Sequence, residues 1–561
     1  MLPENLTERK LDIDFNTRLF AIKLVLVIAV TALVFLWRPL FHPIIYRIAY
    51  SPGLMIGLGI PIFLGVLLFL APPIGRDRSD SILNKLMIFT VLIAVFLILG
   101  MLIGIPAAMF AEKELAQQTM DSATEIEEFP EINEDNARVV PRDVSDVQTS
   151  GSVSYRMHTL GSSDIARMED GSLGWSYALE PDDVRNKIYE NQRGLIMADM
   201  TSMDNRSTHT VDDQDFEVGE GMWLHRSADW NMKKGQYWSQ YNDDPIEFTH
   251  DGDAYMAYPK TGHEWNNAGF FTLFTIPILD IPIGIPYVTG IPFVTPVWDG
   301  VALVETSGDI HHLTPEEAQE SEILEGQRLY PLDLTEREME SLGYREGIVN
   351  QMSVVGSHEN QVEIASMPSG AGNTQPFVID LEGEQMSYVT VMEPYGSGTT
   401  GLDEVWFADA TTGEYRYYGS GSETLMGPER AMGLVRSEDT QTGWGDDFEV
   451  VEPIPVTIDD ELWWHSKVVP IDYTDVSRNV FVNAHTNEAV EVYGDSAIRD
   501  FLAGEDPDEA VDIGDGEVDP EPSDDPDVTY EIVIYDENGD EVDRIEVGDG
   551  EYIEIRSQSD E

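Results

Sequence analysis

Two adjacent histidines, His311 and His312, lie just before Glu316 and Glu317 and form the most metal-like group in the chain. Neighbouring residues on a strand point to opposite faces, so a single ion cannot easily take both. Ordinary strand and helix-cap residues are the expected reading. His465, beside Trp463 and Trp464, is expected at the edge of a core, and His485 in a turn. Oxygen donors on tight turns occur at Asp536-Glu537-Asn538-Gly539-Asp540 and at Asp251-Gly252-Asp253. Neither extends to a full EF-hand loop, so polar hairpin turns are expected, with calcium as the open alternative. His-Glu-x-x-His, Gly-x-Ser-x-Gly and phosphate-loop spacings do not occur. Cys is absent, which excludes thiol catalysis, disulfides and Cys-ligated metal. No catalytic residue and no cofactor is assigned. Asn205-Arg206-Ser207 is a glycosylation sequon, with Asn205 as the candidate acceptor.

The most unusual stretch is Phe270–Val297. It is strongly apolar, with Asp280 as its one charge, and it carries Pro277, Pro282, Pro286, Pro292 and Pro296. Five prolines exclude a regular transmembrane helix. Extended backbone is expected, as an apolar hairpin buried over a neighbouring sheet. The alternatives are a partner-binding patch and insertion into a lipid surface. Phe270, Phe271, Phe274, Ile278, Ile283, Tyr287 and Phe293 are the candidate patch residues.

The elements that must position these residues divide into two parts of opposite charge. The formal net charge is −70, yet 42% of residues are hydrophobic and 10% aromatic. Disordered acidic chains lack such aromatics, so the chain is folded with an acidic surface. Residues 1–113 carry +3, and the rest hold 23 Lys and Arg against 96 Asp and Glu. Only Lys187, Lys233, Lys234, Lys260 and Lys467 among those 23 are lysines. Such a surface repels itself in dilute salt and is screened at molar salt, where the Debye length is ~3 Å. Acid-rich, lysine-poor surfaces resemble those of haloarchaeal proteins, which implies a haloarchaeal or halovirus membrane protein. Nucleic acid is excluded as a partner, because no basic stripe exists to meet phosphates.

Three apolar runs, Leu19–Trp37, Leu54–Leu70 and Met87–Met109, predict three transmembrane helices. The N-terminal tail and the second loop carry Arg9, Lys10, Arg18, Arg76, Arg78 and Lys85, against Arg38, Arg47 and Lys113 on the other side. The positive-inside bias therefore predicts a cytoplasmic N-terminus and an extracytoplasmic large domain in a multi-pass cell or virion membrane protein. Gly53-x-x-x-Gly57 and Gly100-x-x-x-Gly104 predict close helix packing.

The domain plan predicts a three-helix membrane domain over 1–110 and an acidic stalk over 111–150. A repeat-containing α+β ectodomain follows over 151–503, then an acidic Pro/Gly linker over 504–527 and a small all-β module over 528–561. A loose repeat recurs within the ectodomain. One copy runs from Leu381 through Trp406–Glu414 to Tyr418, and a second from Ile458 through Val480–Glu488 to Tyr493. A third spans Asp251–Leu313 and a degenerate fourth Asp170–Asp199. Each predicts an antiparallel sheet unit, and a helix is expected after three of them, as at Thr314-Pro315-Glu316-Glu317.

The Asp409-Ala410-Thr411-Thr412-Gly413-Glu414 turn and its flanking strands resemble PepSY-type domains, in which a helix packs on a small curved sheet as in cystatins. Asn483 and Asn487 depart from that pattern in another copy. The resemblance implies an envelope module that regulates, inhibits or scaffolds a partner, and it carries no catalytic residue. The chain thus reads as a membrane-anchored envelope protein whose non-enzymatic ectodomain binds or scaffolds another envelope or virion protein. A viral attachment or fusion protein using Phe270–Val297 is one alternative, and a metal-dependent ectoenzyme the other.

Overall fold

The computed structural model describes residues 4–72, 78–153, 155–183, 185–203, 208–218, 227–236, 239–241, 245–268, 274–276, 281–283, 290–352, 357–367, 375–383, 385–396, 401–421, 425–438, 442–505, 510–512, 529–535 and 541–548. Helix α1 (Glu4–Leu36) is followed by α2 (Arg38–Ala49), α3 (Pro52–Leu70) and α4 (Arg78–Ser122). The stretches Thr17–Leu36, Pro52–Leu70 and Ser81–Ser122 are each long and apolar enough to cross a membrane. The two glycine motifs face each other across α3 and α4. A Cβ on Gly100 would lie 2.5 Å from the Gly53 carbonyl oxygen and 2.9 Å from Gly57 Cα, so only glycine permits this approach.

Helix α4 has 45 residues, which at 1.5 Å per residue makes it about 67 Å long. That is roughly twice the ~30 Å hydrocarbon core. Its final turns therefore leave the apolar zone as the same unbroken helix. There Leu115, Ala116 and Thr119 are buried against the β-rich domain. Beyond α4, Thr124–Ile126 adds a parallel strand beside Tyr415–Gly419, and Ile132 bridges Leu381. Ala137, Val139 and Val140 are buried. The expected stalk over 111–150 is thus built into the domain, because its scattered apolar residues complete cores supplied by distant strands.

The domain contains four antiparallel meanders. The first joins His158–Arg167, Leu173–Pro181, Arg193–Asp199 and Thr208–Asp215. The second joins Ile246–His250, Asp253–Ala268, Ile291–Glu305 and Ile310–Leu313. The third joins Phe377–Asp380, Met386–Pro394, Glu404–Asp409 and Tyr415–Gly419. The fourth joins Phe448–Ile458, Glu461–Pro470, Arg478–Asn483 and Ala489–Val492. Each of the four stretches read as a repeat falls on one meander. Ala510–Asp512, inside the expected linker, adds a fifth strand to the last sheet. Thr529–Tyr535 and Glu541–Gly548 form a separate hairpin.

Each meander has a helix that precedes it: α5 (Arg142–Ser152), α6 (Ala228–Gly235), α7 (Leu332–Ser341) and α8 (Pro428–Glu438). The helices expected after three of the copies are present, as Pro315–Gln319, Pro428–Glu438 and Asp495–Leu502. Pro315–Gln319 and Asp495–Leu502 pack on the sheet they follow, whereas α5, α7 and α8 pack on the strands that come after them. A short strap before each helix is pinned to a turn of that helix's own sheet. Val139 and Val140 N–H donate to Met200 O, Glu217 N–H to Thr306 O, Leu329 and Tyr330 N–H to Ala410 O, and Met426 N–H to Ala484 O. The turns match in detail. Asp409 Oδ1 accepts from the amides of Thr411 and Thr412, and Asn483 Oδ1 accepts from those of His485 and Thr486. Gly413 and Asn487 supply the positive φ, 75° and 65°, that the turn needs.

The sheets stack so that their two faces feed different cores, as the alternation along a strand requires. In the third sheet Val405 and Phe407 enter one core, with Val456 and Phe481, while Trp406 and Ala408 enter another, with Trp175 and Tyr177. Among the described residues, a buried ion pair of Arg138 with Glu452 and half-buried pairs of Arg167 with Asp380 and Arg328 with Asp164 join units.

Candidate functional site

The strands Asp253–Ala268 and Ile291–Glu305 outrun the rest of their sheet. Among the described residues, 262–268 pair only with 291–297, in the register Ala268↔Ile291 to Gly262↔Val297. This two-stranded ribbon has an open edge, which is why Pro292 and Pro296 fit within it. The ribbon runs along α4. Ile291 and Phe293 are buried against Ile103, Ala107 and Ala111 of that helix, and the Phe110 and Phe293 rings stack with centroids 6.3 Å apart. Phe293 is therefore buried, but on a membrane helix rather than on a sheet face. Phe274 and Ile283 are directly paired on two short strands further along, and Phe270, Phe271, Ile278 and Tyr287 lie outside the described residues.

Helix α2 closes the other side of the ribbon. Tyr46 Oη lies 2.5 Å from His263 Nδ1 and donates to Thr261 O at 3.4 Å, His42 Nε2 contacts Ser239 O at 2.9 Å, and Trp37 packs edge-on against Trp230. The chain then turns at Ser51, whose side chain caps Leu54 N–H, with Pro52 at the first helical position of α3.

Between α2, α3, α4, α7 and the ribbon lies a cavity of about 520 Å³. Its walls follow from three periodicities. Gly104, Ala107, Ala108 and Ala111 give α4 a small-residue face. Asp333, Glu336, Arg337 and Glu340 fall at i, i+3, i+4 and i+7, one face of α7. Thr261 and His263, with Val294 and Pro296, share one face of the ribbon. Arg337 is paired with Glu112 of α4. Burial pushes the His263 imidazole down to about 4, with Arg337 acting in the same direction, so the ring is neutral. Burial raises the Glu336 carboxyl, and Glu340 and Asp333 raise it further. Thr261 Oγ1 lines the cavity at 4% exposure without a hydrogen-bond partner. One wall thus offers negative charge and acceptors, and the other small apolar surface. The chemistry this suits is the holding of a molecule that is part polar and part apolar.

A second polar cluster lies deep in the fold. Glu452 has φ 48° at a bulge in its strand, and Glu452 Oε1 accepts from Arg138 Nη2 at 2.7 Å and from Arg142 N–H at 3.1 Å. Arg138 also lies over the Trp175 ring, 4.6 Å from its centroid. Lys467 is fully buried, and its ammonium is pushed down to about 7 by burial, with Glu452 pulling the other way. His465 is fully buried too, stacked on Phe481 with Nε2 2.7 Å from Asn479 Oδ1, so the expected core-edge position is corrected to a core position. The adjoining void is about 10 Å³, about one water probe.

His311 and His312 point apart on their strand, and His311 Nε2 lies 3.0 Å from Glu305 Oε1. Among the described residues no three His, Asp or Glu side chains converge as a metal group. Asp251 and Gly252 form the positive-φ turn of a hairpin, at 54° and 82°. The Asp536–Asp540 turn and Asn205 lie outside the described residues. Sequence reasoning missed Thr261, His263 and the charged face of α7, which come from segments far apart in the chain. No protein-family model, curated protein or solved structure matches the chain.

Proposed function

We propose that the protein is a non-enzymatic, membrane-anchored envelope protein of a salt-loving cell or its virus. Its extracytoplasmic domain binds or scaffolds another envelope or virion protein at a fixed attitude to the bilayer. The observation that carries this reading is the unbroken α4, a 45-residue helix that serves both as membrane span and as part of the domain's interior. The α2 clasp and the ribbon brace the same junction, so a load or partner on the domain is felt by the anchor. The helix-then-meander order of the units supports the likeness to PepSY-type modules. The charge pattern supports the halophilic setting, and the cation asymmetry across the spans supports the outward orientation.

The test is photo-crosslinking of the full chain in its native membranes at molar salt, from probes spread over the acidic surface. The expected result is one discrete protein partner. Divalent-metal-dependent hydrolysis by the purified chain, abolished by chelation, would overturn the reading in favour of an ectoenzyme. One observation favours the second reading, attachment or fusion: the stem of the apolar ribbon packs on α4 within its membrane-spanning stretch. Liposome flotation that depends on residues 270–288 would give that reading precedence.

A further inference from the structure

At the end of the anchor away from the domain, α1, α3 and α4 leave a crevice of about 670 Å³ open to the lipid. That is within the ~300–1,000 Å³ range of small-molecule sites. Leu19, Ile62, Val66, Leu86 and Phe89 make it apolar. The ring of Phe89 lies against Gly65, where a Cβ would be 2.6 Å from it, so the missing side chain sets the depth of the crevice. Two cations stand at its lip. Lys23 Nζ donates to Phe69 O at 2.7 Å, and Lys85 Nζ donates to Ala71 O at 2.5 Å. Those carbonyls are two residues apart at the C-terminal end of α3, so both ammonium groups converge on one spot.

Capping the negative end of α3 accounts for one proton of each ammonium. It leaves further donors on each lysine and two like charges together, and among the described residues no carboxylate lines the crevice. Lys23 lies four residues into the apolar run Leu19–Trp37 and Lys85 two residues before the run Met87–Met109, so both stand at one end of their runs rather than in the middle. Basic pockets between membrane helices are the setting in which acidic headgroups are recognised.

We propose that this crevice holds one anionic phospholipid. Its phosphate bridges Lys23 and Lys85, and an acyl chain lies along Leu19, Ile62, Val66 and Phe89. The two charges favour an anionic lipid over a zwitterionic one, and the apolar wall favours a lipid over free phosphate.

The test uses the full chain reconstituted in equimolar phosphatidylglycerol and phosphatidylcholine, then extracted in mild detergent, with co-purified lipid counted by mass spectrometry. The expected result is one phosphatidylglycerol per chain. Lys23→Gln with Lys85→Gln should cut retention about tenfold, the scale of one to two lysine–headgroup attractions. Lys23→Arg with Lys85→Arg should keep it, and Val66→Phe should expel the lipid with both lysines in place. Melting of the β-rich domain, followed alongside, should match wild type in all three variants. Equal retention of the two lipids, unchanged retention in the Gln pair, or displacement by millimolar inorganic phosphate would each overturn the proposal.

Discussion

The two ends of α4 are one helix in two solvents. Toward the membrane, Ile98, Met101 and Ile105 are exposed to lipid, and close contact rests on Gly100 and Gly104. Toward the domain, Leu115, Ala116 and Thr119 are buried in protein. The membrane end belongs to a segment of charge +3, and the other end enters a domain that holds almost all the acid of the chain. Hydrocarbon stabilises the first end whatever the salt. The second depends on packing that must overcome the repulsion of its own surface.

The largest expected effect separates these ends by salt. Moving the full chain in detergent from about 2 M to about 0.05 M KCl lengthens the Debye length severalfold. Circular dichroism should then lose the β signal of the domain and keep the helical signal of the anchor. A β-rich domain that melts cooperatively at low salt, without divalent ions, would remove the contrast.

Point charges should sharpen it. Ala116 is 0% exposed, so Ala116→Asp places an unpaired charge in a core and should destabilise the domain by about 4 kcal/mol. Ile98→Ala, on the lipid face, should leave the domain's melting unchanged. Equal melting of the two variants would mean that the end of α4 contributes nothing to the domain.

Buried titrating groups give smaller effects of opposite sign. Lys467 titrates near 7 when folded against 10.5 ordinarily. Between those values the unfolded chain holds a proton that the folded one lacks, so stability rises with pH across that window. Lys467→Met should flatten this rise. Glu338, held between Tyr330 and Tyr415, is pushed up to about 7 from 4.5 by burial. Its contribution is complete below about 4.5 and is lost as pH rises through about 7. Glu338→Gln should remove that fall. Melting of each variant against wild type across pH 4–10 reads both slopes, and a slope shared with wild type would refute the corresponding assignment.

The anchor was legible because runs such as Met87–Met109 are apolar on every face. The glycine motifs could be read as close packing, and the Asp409 and Asn483 turns were visible in their Asp/Asn and Gly/Asn positions. The far end of α4 was hidden, since Leu115, Ala116 and Thr119 are a narrow buried stripe among polar residues. That looks like a solvated stalk. The helix-first order had a signal that went unread: Val139-Val140-Pro141, Leu329-Tyr330-Pro331 and Leu425-Met426-Gly427-Pro428 each set two apolar residues just before the proline that starts a helix. The cavity was out of reach, because six separated segments meet only after the ribbon docks. Its one local trace is the small-residue spacing Gly104, Ala107, Ala108 and Ala111.

The central claim is that anchor and domain move as one body. Because the chain has no cysteine, spin labels can be placed by Met101→Cys on the lipid face of α4 and Glu320→Cys on the exposed surface of the domain. Double electron–electron resonance in nanodiscs at molar salt should give a single narrow distance distribution. Inserting a flexible Gly-Ser segment after Phe110 should broaden it. A broad distribution in the unmodified chain, no narrower than that of the insertion variant, would contradict the account.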